Sequence, residues 1–83
     1  MEEEVGVVTH YYPKIGVAVI KLTGKSLSTG QTVHIQGNST DFVQEVSSIQ
    51  IEHKNIDKVK KGDEFGVKVE QKVREGDKVY LVE

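Results

Sequence analysis

Gly62-Asp63-Glu64-Phe65-Gly66-Val67-Lys68-Val69-Glu70 is the stretch that decides the fold. Phe65, Val67 and Val69 alternate with Glu64, Gly66, Lys68 and Glu70, the period of a strand with one face buried and the other wet. The run opens on a glycine, which tolerates the left-handed backbone of a tight turn, and an aspartate, which can bond the turn's own amides. A glycine followed by a polar residue also opens Gly30-Gln31-Thr32-Val33 and Gly76-Asp77-Lys78-Val79. Three turn-then-strand units of one design predict an all-β protein cornered by glycines.

Working outward, Val5, Val7 and Tyr11 alternate with Gly6, Val8 and His10 in a first strand, and Tyr12-Pro13-Lys14-Ile15-Gly16 turns the chain. Val17–Leu22 is apolar except for Lys21, and Val33 and Ile35 point inward from a third strand. From Phe42 to Ile51 the alternation breaks, because Val46 and Ile49 are three apart; a bulge between them restores Ile49 and Ile51 to the inner face. Residues 52–61 read as a connection, with Ile56 and Val59 as plugs for one end of the core, and Leu27 tucks over that core. The last strand carries Val79 and Leu81. These spacings, roughly 8–15 residues, predict six strands in a closed or nearly closed antiparallel β-barrel.

The chain has 83 residues, a length that suits one domain over 1–83, with the acidic residues 1–4 expected to fray. At 36% apolar and 29% charged it is globular, and its apolar set is mostly Val and Ile, which suits strands. There is no cysteine, which excludes disulfides and thiolate metal sites. No apolar run reaches the ~20 residues of a membrane helix, and the acidic start is unlike a secretory signal. The expectation is a cytoplasmic protein with no membrane partner. A net charge of −2 gives no global attraction to phosphates, so any nucleic-acid contact must be local.

The segment Val46–Val67, running through Ile49, Ile51, Lys54, Ile56 and then Gly62-Asp63-Glu64-Phe65-Gly66-Val67, resembles the second domain of elongation factor Tu and related translational GTPases. Gly6-Val7-Val8 and Leu27–Gly37 resemble earlier strands of that domain, so the likeness spans about Val5 to Val82. The stand-alone translation elongation factor-like proteins are similar, as is the C-terminal barrel of collagenase-like peptidase-family proteins, some of which modify RNA. The resemblance implies a cytoplasmic six-stranded barrel that binds RNA or another protein. In the gapless register, the acidic residue that meets the terminal adenine of tRNA falls at Gln50, a basic neighbour at His53, and an apolar wall position at Lys68. The resemblance does not include a GTPase domain, and no GTP binding is expected.

Gly24-Lys25-Ser26 imitates the end of a phosphate-binding loop, but Val19 stands where the first glycine is needed and a strand follows instead of a helix. His10, His34 and His53 have no metal-ligand spacing and read as solvent-facing strand residues. Tyr11, Tyr12, Tyr80 and Phe42 are the aromatics available for stacking. Residues 53–61 carry Lys54, Lys58, Lys60 and Lys61 against the single acid Asp57, a local basic stretch. No catalytic constellation, metal or cofactor is expected, and the chain reads as no enzyme.

The resulting expectation is a non-catalytic binding module that contacts tRNA or ribosomal RNA, with Lys54, Lys58, Lys60, Lys61 and Lys68 on phosphate and Gln50, His53 and Tyr12 on a base or ribose. The alternative is a protein-interaction module, docking on a partner enzyme or ribosomal protein through a strand edge or the loop at residues 37–41.

Overall fold

The three glycine corners are built alike, and they set the architecture of the computed structural model, which describes residues 2–52 and 54–82. Gly30, Gly62 and Gly76 take φ of +91°, +95° and +93°, a conformation that strains any L side chain. The amides of Gln31, Asp63 and Asp77 donate back to the carbonyls of Ser28, Lys60 and Arg74 at 3.3, 3.0 and 3.1 Å. In return, the amides of Ser28, Lys60 and Arg74 donate to the side-chain oxygens of Gln31, Asp63 and Asp77, at 2.8, 3.0 and 2.9 Å. Each corner is then fixed to another strand. The glycine amides donate to the carbonyls of Val46, Leu22 and Val8 at 2.8 Å. The amides of those three residues donate to the carbonyls of Gln31, Asp63 and Asp77 at 2.8, 2.9 and 2.8 Å. Val8, Leu22 and Val46 are buried, so these reciprocal pairs satisfy backbone groups where water cannot.

Ten strands run between the corners: β1 (Glu2–Tyr12), β2 (Val17–Leu22), β3 (Leu27–Ser28), β4 (Thr32–Gln36), β5 (Asp41–Glu45), β6 (Ile49–Ile51), β7 (Lys54–Ile56), β8 (Lys58–Val59), β9 (Glu64–Lys68) and β10 (Lys78–Val82). Eight form one antiparallel sheet in the order β5-β4-β10-β1-β2-β9-β6-β7, and β3 pairs with β8. The all-β, antiparallel expectation matches this arrangement. The six-stranded closed barrel does not: the count is ten, and no closed ladder is found among the described residues.

The differences have local causes. The stretch read as one bulged strand is two, because the backbone of Val46 is engaged by the Gly30 corner, and the chain re-enters the sheet at Ile49 against β7 and β9. Ile49 is buried there and Ile51 half-buried. The stretches read as connections hold β3, β7 and β8, each two or three residues long, too short for a hydrophobic period to register. Leu27 and Val59 face each other across β3 and β8 and are both buried, which places them as plugs. The acidic residues Glu2, Glu3 and Glu4, expected to fray, pair with Val82, Leu81 and Tyr80 of β10.

The sheet curls around one core that includes Phe65, Ile20, Ile35, Ile49, Val67 and Val79. Its curl brings β5 against the chain leaving β9, and a side chain spans the seam. Gln44 is buried on the inner face of β5; its Nε2 donates to the Lys68 carbonyl and its Oε1 accepts from the Glu70 amide, both at 2.9 Å. One carboxamide thus supplies the donor and acceptor that a neighbouring strand would. Leu at this position fills the space but leaves both backbone groups without a partner, so Gln44→Leu is expected to lower the unfolding free energy by about 2 kcal/mol, measured by urea denaturation. Faster hydrogen exchange at the Glu70 amide is the local signature.

Candidate functional site

Strand register gathers three of the expected site residues on one outer face. Tyr12 pairs with Val17, and Val17 pairs with Lys68, across β1, β2 and β9. In the neighbouring row, His10 pairs with Val19, Val19 with Gly66, Gly66 with Gln50 and Gln50 with Asn55. Gly66 leaves a gap in that row: a Cβ there would stand 3.2 Å from a Val17 methyl. The face therefore has a low apolar floor at Val17 and Val19, both half-buried, with Tyr12, Gln50 and Lys68 exposed around it. The Gln50 carboxamide donates to Asn55 Oδ1 at 3.0 Å. The rings of His10 and Tyr12 lie 4.4 Å apart between centroids, and His10 Nδ1 is 3.2 Å from a Glu75 carboxylate oxygen.

The basic stretch is divided. Lys54 stands on β7 opposite Ile51, at a hairpin whose Glu52 takes φ of +51°. Lys58 pairs with Ser28 in the small sheet, and Lys58 and Lys60 line a shallow recess of about 380 Å³ with Ser26, Val59 and Asp63. Lys61 is exposed in the Gly62 corner. His53 lies outside the described residues. Gly24-Lys25-Ser26 is a turn: Gly24 bonds the Val5 carbonyl at 3.0 Å, and Lys25 pairs with Glu3 at 3.4 Å.

His34 differs from the solvent-facing residue expected. Its side chain is only 14% exposed and joins two distant elements, with Nδ1 bonded to Glu2 of β1 at 2.7 Å and Nε2 bonded to Asp41 of β5. Its neighbours across the sheet are Val43 and Tyr80. Two carboxylate partners require both ring nitrogens to donate, which favours the imidazolium. The bond to Asp41, then that to Glu2, raises its pKa above the usual 6.5 against the opposing effect of burial. The folded state thus holds this proton more tightly than the unfolded chain. The stabilisation is full below pH 6.5 and fades as pH climbs through the raised value. Thermal melts from pH 5.5 to 9 are expected to show a decline in Tm over that window that is smaller in His34→Gln.

No family model matches the chain. It is 46% identical over 80 residues to an uncharacterized protease of Methanocaldococcus jannaschii, a match covering 95% of this chain and 19% of that protein. It is 32% identical over 71 residues to a Porphyromonas gingivalis collagenase, covering 84% of this chain and 20% of that protein. The relatives are peptidases by name. Among solved structures, the fold resembles the C-terminal domain of a Geobacillus thermoleovorans protein described as a U32 peptidase, with a TM-score of 0.90, 20% identity and coverage of 98% and 93% of the two chains. The selenomethionine variant of that domain matches with a TM-score of 0.87 and 21% identity.

The chain spans about a fifth of the length of the curated relatives it matches. These findings agree with the likeness to the barrel of collagenase-like proteins and give no support to the one with elongation factor Tu. Glycine corners and inward valines serve any small sheet of this kind, so they transfer between unrelated activities. The reading of the chain as no enzyme is overturned by relatives named as a protease and collagenases. Among the described residues, no helix is long and apolar enough to cross a membrane.

Proposed function

We propose that this chain is a protein-interaction module of a peptidase-type protein, one that docks on the body of the enzyme. The observation that carries this reading is the match itself. Nearly all of this chain corresponds to about a fifth of a protein named as a protease, and its fold resembles a domain at the C-terminal end of a U32 peptidase. The chemistry of the surface agrees. The Gly66 face offers an apolar floor with one tyrosine, one carboxamide and one lysine around it, a composition suited to a polypeptide surface.

RNA contact at the same face is the second reading, and the convergence of Tyr12, Gln50 and Lys68 is the observation that favours it. The separation of Lys58, Lys60 and Lys61 onto the small sheet and its corner counts against a continuous phosphate track.

A chimera tests the first reading: the M. jannaschii protease with its matching segment replaced by this chain, isotopically labelled and followed by NMR relaxation. A docked module tumbles with the whole particle. A correlation time appropriate to an independent 83-residue domain contradicts docking. Salt-sensitive binding of tRNA by the isolated chain favours the second reading.

A further inference from the structure

Among the described residues, two of the three exposed large apolar side chains stand on the same β1–β2 hairpin tip: Tyr12, 47% exposed, and Ile15, 63% exposed. With Pro13 and Lys14 they line a shallow recess of about 260 Å³. The tip's backbone is held by hydrogen bonds despite its exposure. The Tyr12 carbonyl accepts from the amides of Ile15 and Gly16 at 3.3 and 2.9 Å, and Gly16 takes φ of +67°. Pro13 has its own φ fixed by its ring. The Val69 amide donates to the Gly16 carbonyl at 2.9 Å, which ties the tip to the chain leaving β9. A preorganised apolar knob loses little entropy on binding, the usual property of an interface anchor.

We infer that this tip is the contact through which the module seats on a polypeptide surface, and that the surface is an apolar recess with carboxylates at its rim. The inference rests on the docking reading above. Lys14 lies on the tip and Lys68 is aligned with Tyr12 through Val17. Among the described residues, neither lysine belongs to an ion pair of this chain; Glu70 follows shortly after Lys68, and Glu75 is taken up by His10 beside Tyr12. Two unpaired cations flanking exposed Tyr and Ile complement an apolar pocket edged by Asp or Glu. A nucleic-acid partner fits less well, because Ile15 and Pro13 offer no stacking face and the His10 ring already packs against Tyr12, the one aromatic lining the recess. In the relatives about four-fifths of the chain lies outside the matching segment, which supplies the body on which such a recess would sit.

The test uses the full-length chimera with a zero-length carbodiimide reagent, which joins lysine amines to carboxylates in direct contact. Cross-links from Lys14 and Lys68 to carboxylates of the protease body are expected. Ile15→Asp is expected to reduce their yield about tenfold, the effect of removing one interface anchor. Thr23→Asp, exposed at the far end of β2 from the tip, should leave the yield unchanged. Unaltered melting of the isolated Ile15→Asp chain shows that folding is intact. A module that tumbles with the whole chimera, yet keeps the same cross-links in Ile15→Asp, overturns the tip while docking stands. A freely tumbling module without cross-links overturns both. Loss of tRNA binding in Ile15→Asp, with cross-linking to the body unchanged, reassigns the tip to nucleic acid.

Discussion

Reciprocal backbone pairing between a glycine corner and a buried residue of another strand is the constraint on which this small sheet depends. It occurs at Gly30 with Val46, at Gly62 with Leu22 and at Gly76 with Val8. Each glycine supplies the positive φ, the next side chain caps the amide three residues back, and the flanking amide and carbonyl lock onto a residue with no water contact. A domain of 83 residues has limited apolar area to bury. Buried backbone bonds that leave no group unpaired let it curl tightly without a desolvation penalty. The Gln44 seam extends the same principle to a place where no corner is available.

What could be read from the chain followed from how local its causes are. The corners were legible because glycine, a polar residue and an alternating run lie within nine residues at Gly62–Glu70. Their φ values and caps agree with that reading. The split between β5 and β6 was not legible, since it depends on Val46 meeting a glycine sixteen positions away. The same is true of His34, whose carboxylate partners are 32 and 7 residues distant. Gln44 left one visible clue: it shares the inward parity of Phe42, and a polar side chain at a core position implies specific partners.

The candidate site was legible in part, for the same reason. Tyr12, Gln50 and Lys68 share a face because strand register aligns them, while the lysines of residues 58–61 follow the chain onto β8 and the Gly62 corner. Sequence proximity made those lysines look like one patch; topology separates them from the Gly66 face. The likeness to translation factors rested on corners and core positions, which serve any small sheet of this kind, whereas the chain's matches in sequence and fold are to proteins named as peptidases. The proposed docking surface lies on what the corners hold up: a floor over Gly66 and an apolar hairpin tip beside it.

Native-state hydrogen exchange of six amides, those of Gly30, Gly62, Gly76, Val46, Leu22 and Val8, tests the account at its base. If the corner pairs hold the sheet together, all six exchange only through global unfolding, with one common free energy equal to that from denaturant titration. Rapid exchange of the glycine amides and their partners, while the amides of β1 and β2 stay protected, would show that the corners are decoration on a sheet that stands without them.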